Sequence, residues 1–197
     1  PHFPLFKNKN TKYIRINHTA SKGRYLKRYD YFDALVLIAT GEFDFWKKHH
    51  NSIAIIPNFI PNISNLNTNY SQKVVLSMGR IEKTNQKGFL RLIDIWKLIQ
   101  DSKEFKDWKL HIVGDGDLKE KIENKIRDLN LTNSIILKPF TKDVESEYLS
   151  ASIYAMTSHF EGLPMVLIEA QSYALPTISF DIATGPSDVK ENKKSGY

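Results

Sequence analysis

The sequence predicts an α/β fold of two units, each built on a doubly wound parallel sheet, the first incomplete and the second nearly complete. Three observations predict it. Short apolar runs rich in β-branched residues, such as Ala34-Leu35-Val36-Leu37-Ile38-Ala39 and Ile53-Ala54-Ile55-Ile56, read as strands buried on both faces. Stretches with apolar residues at helical spacing separate such runs, and strands alternating with helices imply a parallel sheet. Between positions 57 and 73 the composition changes. Pro57, Pro61 and five asparagines fall there with no periodic apolar face, which marks a linker. The boundaries follow: residues 1–57 for the first unit, 58–73 for the linker, 74–197 for the second.

In order, Tyr13 to Asn17 alternates weakly and reads as a strand ending at His18. Ser21 to Tyr31 is expected to be a helix with Leu26 inward. The strand at 34–39 follows, then a helix over Glu42 to His50 carrying Phe43, Phe45 and Trp46, then the strand closed by Pro57. Three strands make a poor sheet unless more chain is supplied from elsewhere. In the second unit, Val74 to Met78 is a strand ending at Gly79-Arg80. After Lys87-Gly88 comes a helix with Phe89, Leu92, Ile93, Trp96 and Ile99 on one face. The strand Trp108 to Val113 ends in Gly114-Asp115-Gly116-Asp117, where Asp117 and Glu120 form a capping-box-like pair. Leu118, Ile122, Ile126 and Leu129 face inward; Lys119, Lys121, Lys125 and Arg127 form the solvated side. Ser134 to Leu137 and Ile153 to Thr157 are strands flanking a short helix at Val144 to Ala151. A helix after Pro164 leads to the strand Thr177 to Phe180, and Ser187 is the expected N-cap of a last helix.

The 197 residues suffice for one large or two small domains. Without cysteine there is neither a disulfide framework nor a Cys-based zinc site. No apolar run approaches the roughly 20 residues needed to cross a bilayer, and Pro1 to Lys12 lack a signal-peptide pattern. Pro1 as a start and Ser195-Gly196-Tyr197 as an end suggest part of a longer chain. The net charge is +6 and the pI about 9.3. Nucleic acid, an anionic membrane face or a phosphorylated substrate would each suit that balance. Lys22, Arg24, Lys27 and Arg28 form the densest basic cluster. It reads first as a solvated face and second as a contact with anionic lipid. Nearby aromatics follow no single-strand-binding pattern, so nucleic acid ranks last.

The second unit is organised around Glu161-Gly162-Leu163-Pro164-Met165-Val166-Leu167-Ile168-Glu169-Ala170. Pro164 suits a helix start. Glu161 then lies on the preceding loop and Glu169 inside an otherwise apolar helix. A carboxylate there costs several kcal/mol unless it is hydrogen-bonded. On its own the stretch is a buried helix with a capping Glu161 and one satisfied Glu169. Upstream, Arg80 and Lys87 supply the fork and the flexible ammonium that grip a diphosphate. Free N–H groups at a helix start add an anion site. Because parallel sheets bind ligands outside the carboxyl ends of their strands, Arg80, Gly114, the Pro139 loop and Glu161 are expected on one rim.

At this point the sequence resembles a family. Gly79-Arg80…Lys87-Gly88, Ile112-Val113-Gly114-Asp115-Gly116 and Thr157-Ser158-His159-Phe160-Glu161-Gly162-Leu163-Pro164…Glu169-Ala170 are similar to the retaining glycosyltransferases of family 4 type with the GT-B fold. The version here is nearest to enzymes that build bacterial lipopolysaccharide, capsule or related surface glycans. The resemblance implies roles. Arg80 and Lys87 bind the donor diphosphate and stabilise its departing charge. Glu161 contacts hydroxyls of the transferred sugar. Gly79, Gly114 and the turn Gly162, Leu163, Pro164, Met165 and Val166 approach the sugar and phosphates. Glu169 binds the ribose. Pro139 and Phe140 hold the base, with Pro139 standing where the family usually has Gly. His18 matches the family's cleft-facing histidine.

The function so implied is transfer of a sugar from a nucleotide sugar, UDP-hexose or UDP-N-acetylhexosamine, to a growing surface glycan. Retention comes without an assigned enzyme nucleophile. The alternatives are a sugar-nucleotide epimerase on the same cradle and a donor-binding fragment inactive by itself. The implied partners are the donor, a glycan or lipid-linked acceptor and a peripheral contact with anionic membrane. The implied location is cytoplasmic, at the inner face of the plasma membrane. Neither cofactor nor metal is expected: Asp115-Gly116-Asp117 spells an Asp-x-Asp motif, but it opens a helix. Neither the His49-His50 pair nor the other histidines have ligand spacing with carboxylates. Ser21-Lys22-Gly23 and Gly114-Asp115-Gly116 are not a P-loop or a full dinucleotide fingerprint.

Overall fold

The computed structural model describes residues 6–189. Pro1, the Ser195-Gly196-Tyr197 end and the last residues of the second unit lie outside them.

The first sheet has three parallel strands in the order β1 (Ile14–Asn17), β2 (Ala34–Leu37), β3 (Ile53–Ile55). One helix, α1 (Phe43–Lys47), connects β2 to β3. Leu35 and Leu37 of β2 and Trp46 of α1 are buried together with Tyr29, walled by Tyr25, Phe32, Phe43 and Phe45. Aromatic area therefore substitutes for helix count in this small core. The expected helix at 21–31 is absent. Only a 3-10 turn, Lys27–Tyr31, forms, and Leu26 lies 43% exposed rather than inward. Lys22 and Gly23 adopt left-handed backbone at φ +55° and +68°, which no helix accommodates.

The second sheet has five parallel strands: β4 (Val74–Met78), β5 (Lys109–Val113), β6 (Ile135–Lys138), β7 (Ile153–Met156) and β8 (Thr177–Ser179). Their order is β6-β5-β4-β7-β8. The chain runs outward from β4 on one side, then returns and runs outward on the other. The direction reverses between β4 and β7, so a crevice opens there beyond their carboxyl ends. Helices α2 (Phe89–Asp101) and α3 (Lys119–Asp128) cover one face. Phe89, Leu92, Ile93, Trp96, Ile122 and Ile126 pack there on Leu110, Ile112 and Ala155. Helices α4 (Val144–Leu149) and α5 (Met165–Ser172) cover the other. Tyr148, Leu167 and Ala170 pack there on Val74, Leu76, Met78, Tyr154 and Met156. Alternate residues of β7 thus feed opposite cores, as the pleat requires.

Two caps differ from expectation. Helix α3 begins after Leu118 with no side-chain cap, so Asp117 is not the cap. Helix α6 (Pro186–Val189) starts at the proline, which leaves Ser187 inside it. Proline fits a first helical position because its missing N–H has no partner there.

The two sheets meet through Ile38 and Ala39 after β2 and Leu163 before α5, with Met165, Ile168 and Val189 around them. The Thr40 N–H donates to Asp188 Oδ1 at 2.7 Å across the same junction.

Candidate active site

The reversal between β4 and β7 is where the sequence motifs meet. Strand β4 ends at Gly79, and the loop after it carries Arg80 and Lys87. Strand β7 ends before Thr157, and the loop after it carries Glu161. The Lys87 ammonium lies 2.7 Å from Glu161 Oε1, with side chains 21% and 9% exposed. Two residues distant in sequence thereby form a desolvated, charge-assisted pair. The pair is built from below. Gly79 leaves the space that the Lys87 stem fills: a Cβ there would lie 2.9 Å from Lys87 Cγ. Gly88, at φ +70°, turns the chain sharply into α2, and a Cβ would fall 1.9 Å from the Thr157 carbonyl oxygen. The Thr157 hydroxyl donates to the Gly88 carbonyl at 3.1 Å. Gln86 joins the two loops, donating from Nε2 to the Phe160 carbonyl at 3.0 Å and accepting from His159 N–H at 2.8 Å. Arg91 locks the same strand end, donating to the Thr157 and Ser158 carbonyls at 2.7 and 2.5 Å.

The segment after Glu161 is equally fixed. Thr184 donates through its hydroxyl to the Glu161 carbonyl at 2.5 Å. Gly162 packs so closely on the first unit that a Cβ would lie 2.2 Å from the His18 carbonyl oxygen. Leu163 is buried between the units. Pro164 is the N-cap residue of α5, and Met165 and Val166 form its first turn, half-buried. Glu161 is not the cap of that helix; its carboxylate is engaged by Lys87. Helix α5 therefore presents free N–H groups beside a lysine–glutamate pair.

Glu169 lies one turn further along α5, half-buried. Its Oε2 accepts a 2.7 Å hydrogen bond from the Tyr148 hydroxyl. Burial first, then Tyr154 and Glu169, hold the Tyr148 hydroxyl far above the usual tyrosine range. It therefore acts as a neutral donor to Glu169 Oε2.

On the far side of the crevice, Gly114 ends β5, and a Cβ there would lie 2.0 Å from the Gly79 carbonyl oxygen. After β6 come Pro139 and Phe140, whose ring is 66% exposed at the rim. Asp115 ties this loop down. Its Oδ2 accepts from the Phe140 N–H at 2.8 Å, and Oδ1 pairs with Lys119 at 3.0 Å. These two partners hold the Asp115 carboxyl below its ordinary range, Phe140 more than Lys119. Asp115, the first carboxylate of the Asp-x-Asp sequence, thus anchors this loop. Among the described residues no group of three or more His, Asp or Glu could hold a metal ion.

Not every expected residue joins the pair. Arg80 lies on the rim with its side chain 82% exposed, bridged to Glu82 at 3.1 Å. Glu82 is the nearest counter-charge along a polar loop, and an exposed pair of this kind is worth about 0–1 kcal/mol. His18, at the end of β1, is exposed and meets Gly162 through its backbone. Sequence reasoning missed Tyr148, Thr184 and Gln86, and gave Asp115 no role. Tyr148 carried the one usable signal, a polar-tipped aromatic on the inward face of a short helix.

Comparison with known proteins places the chain in a family. The family model described as glycosyl transferases group 1 matches residues 58–197. The amylovoran biosynthesis glycosyltransferase AmsD of Erwinia amylovora is 46% identical over 126 residues, 64% of this chain and 34% of its own. The lipopolysaccharide 1,6-galactosyltransferase of Escherichia coli K12 is 33% identical over 124 residues, 61% of this chain and 33% of its own. Among solved structures, S. aureus TarM in complex with fondaparinux, alpha-GlcNAc-glycerol and UDP superposes with a TM-score of 0.83 at 26% identity. That match covers 96% of this chain and 41% of TarM. The chain therefore spans about a third to two-fifths of these relatives' length. With that family match over most of the chain and two parallel sheets that superpose on TarM, the chain belongs to the glycosyl transferases group 1 family and has the GT-B fold.

Proposed function

We propose that this chain carries the donor site of a retaining glycosyltransferase that moves a hexose or N-acetylhexosamine from a UDP-sugar to a growing surface glycan. The observation that carries the reading is the Lys87–Glu161 pair at the sheet reversal, with the start of α5 and Glu169 in line behind it. The names of relatives support the product class: amylovoran, lipopolysaccharide and poly(ribitol-phosphate). UDP is bound in the related S. aureus TarM structure.

In this reading the diphosphate lies over the first turn of α5, where N–H groups favour an anion. The Lys87 ammonium has three donors. One stays on Glu161, and the others reach the β-phosphate. Arg80 swings from Glu82 to the same phosphate. Glu161 accepts from hydroxyls of the transferred sugar, Glu169 from the ribose, and Phe140 packs against the base. The reaction breaks the bond between the anomeric carbon and the β-phosphate oxygen and forms one to the acceptor oxygen on the same face. The acceptor proton passes to the departing phosphate. Negative charge grows on that phosphate in the transition state, and donors already aimed there stabilise it without reorganising.

Residues 74–197 serve the donor in this scheme, and residues 1–57 form the acceptor side with His18 at the cleft. Turnover then requires the full-length protein. Among the described residues no helix is long and apolar enough to cross a membrane; the proposed work site is the inner face of the plasma membrane. Titration of UDP, GDP, ADP and UDP-sugars by calorimetry tests the donor assignment. Binding of UDP-sugars supports it, and failure of every nucleotide to bind sinks it.

A further inference from the structure

We propose that the acceptor is itself anionic, with phosphodiester or carboxylate groups along its chain, and docks on the Lys22, Arg24 and Lys27 surface beside Glu161. The inference rests on the donor-site reading for where the reacting hydroxyl must arrive.

The first observation is how charge is divided. Residues 1–57 hold 10 Lys and Arg against 4 Asp and Glu, a net of +6; residues 58–197 hold 18 against 18. The whole excess of positive charge therefore lies in the first unit. Three of its four carboxylates have partners other than the side chains of Lys22, Arg24 and Lys27. Asp33 takes Lys7 at 2.9 Å and the Tyr13 N–H at 2.7 Å. Asp30 accepts from the Tyr25 hydroxyl. Glu42 accepts from Ser21 N–H, Ser21 hydroxyl and Lys22 N–H at 2.8, 2.8 and 3.0 Å. Among the described residues none pairs with the side chains of Lys22, Arg24 or Lys27, all of which are exposed.

The second observation is where this cluster sits. The Lys22 ammonium stands 3.5 Å from the centroid of the Phe160 ring, a cation–π contact reaching across to the residue before Glu161. Four residues earlier, the His18 carbonyl is pressed on Gly162, the residue after Glu161. The loop from His18 to Arg24 is thus clamped on both flanks of the proposed sugar-binding carboxylate. Glu42 holds its turn from behind. A hydroxyl that reaches a sugar on Glu161 drags the rest of its chain over this loop. The donor has no use for these cations, since its diphosphate lies at Lys87 and α5. A neutral acceptor would leave them uncompensated, whereas an anionic one gains steering and register from them.

The test uses the full-length protein and a variant carrying K22S, R24S and K27S. Calorimetry measures affinity for a glycerol-phosphate oligomer, an oligogalacturonate and a neutral oligosaccharide of equal length, with UDP measured alongside. At least one anionic oligomer is expected to bind the unsubstituted protein more tightly than the neutral one. Its affinity should fall with added salt and by on the order of tenfold in the variant. UDP affinity should stay within about twofold. Whichever oligomer responds identifies phosphate or carboxylate as the source of charge. A control carrying K103S, K106S and K121S, which removes equal charge from the second unit, should keep the oligomer affinity. Anionic oligomers binding no better than the neutral one, or equally well to the variant, would overturn the proposal. So would loss of flotation with phosphatidylglycerol vesicles at unchanged oligomer affinity, which points to a membrane contact instead. Failure of the unsubstituted protein to bind UDP contradicts the donor reading, while the oligomer comparison still decides the acceptor.

Discussion

Lys87 and Glu161 are 74 positions apart in sequence and 2.7 Å apart in space. Each is poorly tolerated alone in a half-dry site, and each supplies what the other lacks. If Lys87 serves as proposed, Lys87→Ala should lower the transfer rate by on the order of 10²-fold or more, because a fixed donor to the leaving phosphate is lost. Single-turnover kinetics on the full-length protein would show it. Tyr148 acts one step back. Tyr148→Phe removes the hydrogen bond to Glu169 but keeps the buried ring and its stacking on Tyr173. UDP should bind several-fold more weakly, and the preference for UDP over 2′-deoxy-UDP should shrink, as calorimetry with both ligands would read. At this scale the sequence exposed the carboxylates and the lysine because charge in an apolar or glycine-bounded run is costly. It did not expose Tyr148, Thr184 or Asp115. Their roles depend on which loops the fold brings together, and no local pattern encodes that.

Elements of the second unit were legible and those of the first less so. Helix α2 shows why. Phe89, Leu92, Ile93 and Trp96 repeat at helical spacing, and the structure buries all four. Trp96 is 2% exposed, with its indole N–H on Ser134 Oγ at 3.2 Å. Trp96→Ala should cost about 3–5 kcal/mol in urea unfolding. Gly88→Ala, with its φ of +70° and a Cβ aimed at the Thr157 carbonyl, should cost about 1–3 kcal/mol and displace Lys87 as well. By contrast, the stretch from Ser21 to Tyr31 offered one apolar residue, Leu26, as the basis for a helix. Two left-handed residues and the Glu42 carboxylate made it a turn instead. Backbone of that kind is invisible to periodicity when one of the two residues is a lysine.

At the scale of the molecule, alternation of strands and helices announced a parallel sheet, but not the reversal of strand order that opens the crevice between β4 and β7. That order rests on long-range pairing, which short-range spacing does not report. The sheet also carries a half-buried titratable group. His111 on β5 has an unpartnered Nδ1, and burial first, then Lys138, depresses its pKa, with Glu147 opposing. The unfolded chain therefore binds its proton more readily than the folded one. Its contribution to stability is full above about pH 6.5, the unfolded value, and is lost as pH falls. Urea midpoints should decline from neutral pH toward about pH 5, and His111→Gln should flatten that slope. The proposed function assigns these parts to one donor, with Glu161 serving the sugar and Glu169 the ribose. The most direct measurement compares UDP and UDP-sugar affinities for Glu161→Ala and Glu169→Ala in the full-length protein. Glu169→Ala should weaken both ligands together; Glu161→Ala should spare UDP and weaken the UDP-sugar alone. Equal losses of both ligands in the two variants, or the reverse assignment, would contradict the division of labour.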